Sequence, residues 1–124
     1  MTQQLVGEAT SFIDAAHAAG EPFLLMLNFL HVHTPLFCAA QFKNKSTHGP
    51  YGDNVLELDW AVGAIMDKLK KLDLVDDTIT YFSTDQAAHV EEVAQGTNVS
   101  FPSSINLFVY LKSEHNFKLC LNVL

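Results

Sequence analysis

Hydrophobic positions along the chain follow two patterns, one helical and one extended. Leu5, Ala9, Phe12, Ile13 and Ala16 recur at spacings of three and four, which predicts a first helix that Gly20 ends. The run from Phe23 to Leu30 is apolar on both faces apart from Asn28, as expected of a buried parallel strand. His, Pro, Gly and Ser residues between roughly His31 and Gly52 predict a loop, and Asp53 stands after it as a natural N-cap. Val55, Leu58, Val62, Ile65, Leu69 and Leu72 then step by three and four and predict a second helix. Lys68, Lys70 and Lys71 fall in its last turns, where they complement the helix dipole. After a turn over Asp73 to Asp77, the stretch Thr78 to Thr84 predicts a second strand. Strand, helix and strand in this order close as a right-handed crossover with parallel strands.

Beyond about Gln95 the pattern changes. Gly96 to Ser104 is rich in turn formers, Ile105 to Leu111 is a further expected strand, and Lys112 to Leu124 has no clean periodicity. At 124 residues the chain holds one modest core, and it contains no internal repeat. Apolar residues make up 48% and charged residues 17%, which excludes a disordered acidic tail. The seven basic residues are all lysine, and 14 carboxylates bring the formal charge to -7, which argues against a nucleic-acid surface. Missing arginine also removes the planar, bidentate grip on phosphate or sulfate. Oxyanion chemistry here must use lysine, histidine, backbone N–H groups or a metal.

Neither a basic n-region with an apolar core nor an apolar run of membrane-spanning length is present, so the chain as written is expected in the cytosol. Cys38 and Cys120 do not make a disulfide framework. Two sequons, at Asn44 and Asn98, matter only if the chain enters the secretory pathway.

Parallel α/β sheets bind ligands at the carboxyl ends of their strands. The first predicted strand delivers His31-Val32-His33-Thr34 there, and the second delivers Asp85-Gln86 with His89 nearby. Parallel strands put both clusters on one side of the sheet. Asp85 and Gln86 offer a carboxylate and an amide oxygen, hard donors suited to calcium or magnesium; equally, Asp85 can start an Asx-turn with Gln86 solvated. His31 and His33 are two apart, so on an extended backbone only one faces a shared pocket. That one can bind an anion, act as general acid, or simply hydrogen-bond the backbone. Trp60 and Tyr81 are expected to pack.

At this point the residues resemble a known family. Pro22 to Thr34, His48-Gly49-Pro50-Tyr51-Gly52-Asp53, Leu58 to Gly63 and Tyr81 to Glu92 are similar to the arylsulfatases, in the branch that includes steroid sulfatase. The resemblance covers about residues 1–94 in order and at the right spacing. It implies sulfate-ester hydrolysis in an α/β fold: part of an alkaline-phosphatase-like sheet, with a β-α-β core and flanking helices. By the same resemblance Asp85 and Gln86 match calcium ligands, and His33 matches the histidine that meets the sulfate or leaving-group oxygen. His31 and His89 stand beside them. The family works in the secretory pathway, where Asn44 and Asn98 would be open to glycosylation.

Departures from the family set a second expectation. Cys38 is followed by Ala39-Ala40-Gln41 and Cys120 by Leu121-Asn122-Val123, so neither sits in the C-x-P-x-R motif that yields the family's formylglycine nucleophile. The family's paired N-terminal aspartates on the metal precede the start of this chain, and Ala87 stands where the family usually has glycine. Residues 1–94 are therefore expected to be part of a sulfatase catalytic domain and residues 95–124 a divergent tail that adds one strand. The isolated chain is expected not to turn over sulfate esters. Two alternatives stay open: a non-catalytic piece that binds or modulates a full-length sulfatase, or a small α/β calcium-binding protein.

Overall fold

A computed structural model describes residues 1–84, 109–111 and 117–123. Helix α1 spans Thr2–Ala19, strand β1 Leu24–Phe29, helix α2 Gly49–Lys71 and strand β2 Thr78–Thr84. Strands β3, Val109–Leu111, and β4, Phe117–Val123, follow.

Helix α1 ends as its sequence requires. Gly20 adopts φ 66° and ψ 27°, left-handed values that cost glycine little. Its N–H donates to the His17 carbonyl and the Glu21 N–H to the Ala16 carbonyl, the paired bonds of a Schellman turn. Val6, Ala9 and Ile13 form the helix's buried stripe, while Phe12 is 44% exposed with its ring edge-on to Phe23.

Helix α2 begins earlier than expected. Its N-cap position is His48, and Pro50 sits in its first turn, where a missing N–H costs nothing. Asp53 is thus no N-cap but a buried residue of the second turn. Of the expected stripe, Leu58, Ile65 and Leu69 are buried and Val62 and Leu72 pack against the core, but Val55 is exposed. The first turns of α2 instead point Asp53, Asn54 and Glu57 inward, with Ala61 taking the next level of the core. Lys68 donates to Asp14 at 2.7 Å between the two helices, a half-exposed pair worth little on its own.

The sheet order is β1-β4-β2-β3. β1 and β2 run parallel, as expected, but they are not neighbours. β4 lies between them, parallel to both, and β3 pairs antiparallel to β2 at the far edge. So the tail adds two strands rather than one. Of the expected third strand, Val109–Leu111 is present and residues 105–108 lie outside the described set.

Val6, Ala9 and Ile13 of α1, Phe23, Leu27 and Phe29 at β1, and Leu58, Ala61, Ile65 and Leu69 of α2 make one buried cluster. Both helices therefore cover the same face of β1. On the other face Leu24 is 64% exposed and Met26 59% exposed, which corrects the expectation of a strand buried on both sides. The run is apolar on both faces in sequence, but among the described residues the helices lie on one face of it.

Candidate active site

Register defines the candidate site. Phe29, Val123 and Thr84 are Cα partners across β1, β4 and β2. The carboxyl ends of β1 and β2 are therefore level, two strand spacings or about 9–10 Å apart. From one end the chain continues into His31 to Thr34, and from the other into Asp85. Asp85, Gln86, His89 and Asn98 lie outside the described residues.

His31 and His33 part as their spacing requires. His31 is 1% exposed, with Nε2 at 2.9 Å from Thr2 Oγ1 and 3.3 Å from Glu57 Oε2. Its ring lies 5.0 Å from that of Phe37, centroid to centroid. His33 is exposed, and its Nδ1–H donates to the Thr34 carbonyl at 2.7 Å. A carbonyl only accepts, so Nδ1 carries the hydrogen of the neutral ring.

Three polar side chains of α2 hold the segment that carries these histidines. Asn54 Oδ1 accepts the Phe37 N–H and its amide donates to the Pro50 carbonyl. Glu57 Oε2 accepts the Ala39 N–H at 2.8 Å. Asp53 accepts three backbone N–H groups, from Asn44 at 2.7 Å, Lys45 at 3.0 Å and Ser46 at 2.8 Å. A buried carboxylate survives only with such partners, and each buried amide needs an acceptor in turn. Sequence reasoning missed these three residues. The signal was there: positions 53, 54 and 57 share one face of a helix, and polar residues on a face continuous with an apolar stripe have a partner to meet.

Hydrogen bonds from Ser46 above all, with those from Asn44 and Lys45, hold the Asp53 carboxyl below its ordinary value against the opposing effect of burial. Because the folded value lies below the unfolded one, this contribution is present above about pH 4 and is lost as pH falls through the folded value. Asp53→Asn is accordingly expected to lower Tm at neutral pH, with the gap to the natural chain closing on acidification. Thermal melts between pH 7 and pH 2 check this, and a gap that stays constant with pH would contradict it.

Cys38 lies on the same loop. Burial pushes its thiol up, and the Asp53 and Glu57 carboxylates add to this while Lys43 opposes it. It is held as a thiol at neutral pH and is a poor nucleophile there. Cys120 sits in β4, in register with Met26 and Tyr81. Trp60 packs against Phe42 at 5.7 Å between ring centroids, in the packing role expected of it.

Among the described residues no group of three or more His, Cys, Asp and Glu side chains can hold a metal ion. The buried acids Asp53 and Glu57 are occupied by backbone amides. Nor is any helix among them long and apolar enough to cross a membrane.

Comparison with known proteins agrees with this geometry. The Sulfatase family model matches residues 1–117. Human steryl-sulfatase is 52% identical over 94 residues, which cover 76% of this chain and 16% of that protein. Human arylsulfatase H is 46% identical over 87 residues, 70% of this chain and 15% of its own length. An arylsulfatase of Hemicentrotus pulcherrimus is 39% identical over 100 residues, 81% of this chain and 18% of its own length. The chain thus spans only a minor part of each relative. Among solved structures, Ps i-CgsB superposes with a TM-score of 0.74 at 22% identity, over 96% of this chain and 30% of its own, a likeness of fold. With level strand ends, helices on the sheet and a match along nearly its whole length, the chain has part of an alkaline-phosphatase-like α/β fold and belongs to the sulfatase family.

Proposed function

We propose that this chain carries one wall of a sulfate-ester hydrolysis site and does not complete the reaction alone. The observation that carries this is the level register of Phe29, Val123 and Thr84. It supports a site shared by His33, after β1, and Asp85 with Gln86, after β2. His33 would meet the sulfate or the leaving-group oxygen and donate or accept a proton at Nε2. Asp85 and Gln86 are donors of the kind calcium prefers, but two oxygens fall short of the six to eight it takes. When bound, such an ion neutralises sulfate charge. Among the described residues no group of three or more His, Cys, Asp and Glu side chains stands ready to complete such a shell. Residues 95–124 contribute strands β3 and β4 to the sheet rather than groups to the chemistry.

The test is hydrolysis of an aryl sulfate by residues 1–124 with calcium present, beside a full-length sulfatase as control. No turnover by the chain and normal turnover by the control is expected, since Cys38 is neither in the nucleophile motif nor activated. Sustained calcium-dependent turnover by the chain would overturn the inactivity. Asn44, exposed on its turn, is the glycan acceptor proposed within the described residues if the chain passes through the secretory pathway.

One observation favours a second role, association with a full-length sulfatase. Leu24 and Met26 leave an apolar face open on β1, the edge strand of the sheet. Co-purification with a full-length sulfatase distinguishes this role. Its loss in Met26→Lys would tie the contact to β1, and failure to co-purify at all would remove it.

A further inference from the structure

We infer that Glu57 is a positioning residue for His33, acting through the backbone on either side of it. This rests on the proposal that His33 is the group that meets the sulfate ester.

Glu57 is 3% exposed, and a carboxylate at that depth is costly unless it is paired and hydrogen-bonded. Both of its partners lie on the segment that carries His33. Ala39, six residues after His33, donates its N–H to Oε2 at 2.8 Å. His31, two residues before, places Nε2 at 3.3 Å from the same oxygen. One oxygen atom thus hydrogen-bonds the segment behind His33 and touches it ahead of His33. His31 Nε2 also meets Thr2 Oγ1 at 2.9 Å, which ties the same point to α1.

The far side of the His31 ring has no such hold. Its Nδ1 is buried and has no hydrogen-bond partner among the described residues, so the ring is held by its bond to Thr2, with the Glu57 carboxylate beside the same nitrogen. Packing alone would favour an apolar side chain at position 57, since replacing a buried charge by a well-packed apolar group is commonly neutral or stabilising. A carboxylate there does what an apolar residue cannot. It accepts the Ala39 N–H behind His33 and lies against the His31 ring ahead of it, on a loop whose exposed histidine keeps Nδ1–H on the Thr34 carbonyl. Glu57 touches no reacting atom. It fixes the backbone that aims one.

The experiment reads the imidazole rings directly, in the full chain labelled with ¹⁵N-histidine at a pH where the rings are neutral. In the natural chain His33 is expected to show distinct Nδ1 and Nε2 resonances, with the hydrogen on Nδ1. In Glu57→Ala those two resonances collapse toward the average of a freely exchanging imidazole, while far-UV circular dichroism keeps its helical signal. Glu57→Gln restores the distinct pair, because its amide oxygen can accept the Ala39 N–H and keep a polar atom against His31. A folded Glu57→Ala chain with an unchanged His33 pair overturns the inference, and so does a Glu57→Gln chain that behaves like the alanine variant. Should Glu57→Ala not fold, Glu57→Asp decides: one methylene shorter, it cannot reach both flanks, and an intact His33 pair there overturns the inference. Adding 4-nitrophenyl sulfate separates this from the proposed function. A His33 ring that depends on Glu57 yet does not respond to the sulfate ester upholds the positioning and sinks the sulfate-site role.

Discussion

Phe29→Ala is expected to destabilise the chain by about 3–5 kcal/mol, enough to unfold much of it at 37 °C. Phe29 is 1% exposed and is the last residue of β1, at the level where the strand hands over to the His31–Thr34 segment. Its ring belongs to the cluster that joins α1, β1 and α2, so truncation removes apolar burial from all three at once. A cavity there cannot close without moving the end of the strand. Urea unfolding followed by circular dichroism gives the measurement. A loss below about 1 kcal/mol would mean that the site collapses freely and that Phe29 is not the keystone its burial suggests.

Gly52→Ala is the second large effect, and it acts on the loop rather than the core. A Cβ at position 52 would land on Ser46 Oγ, and it would lie 2.7 Å from Ser46 Cβ and 2.9 Å from His48 Cβ. Neither of those carbons is the tip of a long flexible side chain. The loop must therefore lift off the helix, and Ser46 is one of the three residues whose N–H groups hold Asp53. Overpacking of this kind costs about 1–3 kcal/mol. The additional sign is chemical. The acid-dependent part of stability that Asp53 supplies should shrink together with Tm. Unchanged Tm and an unchanged acid limb in Gly52→Ala would show that the loop gives way without cost. Glycine is needed here for a close approach.

Much of this architecture was legible in the sequence, for reasons that can be named. Helix α1, its glycine stop and strands β1 and β2 follow from period and turn chemistry, which act over a few residues. That His31 and His33 would part, one inward and one outward, follows from the alternation of an extended chain. The start of α2 was not legible, because Asp53 satisfies the capping rule in composition while its carboxylate serves a loop seven to nine residues earlier. Tertiary hydrogen bonds are invisible to local pattern. β4 was legible locally and was missed: Phe117, Leu119, Leu121 and Val123 recur at every second position, the period of a strand, but only over seven residues inside a longer stretch without periodicity. The polar face of Asp53, Asn54 and Glu57 was another missed feature that carried a local signal.

The central place of β4 has a consequence for the time course of folding. β1 and β2, separated by about fifty residues, make no ladder with each other and wait for a strand that is synthesised after both. Pairings of such long sequence separation form late, because loop-closure entropy must be met before any contact repays it. Helices α1 and α2 can meet early, while β1 stays unpaired and β2 has only β3 beside it until residue 117 and beyond are available. During that interval the β1 and β2 edges that β4 later covers are exposed at once, which makes the nascent chain most prone to misassociate before β4 is made. Pulse-labelled hydrogen exchange would register this as helix protection preceding protection of the β1–β4 ladder.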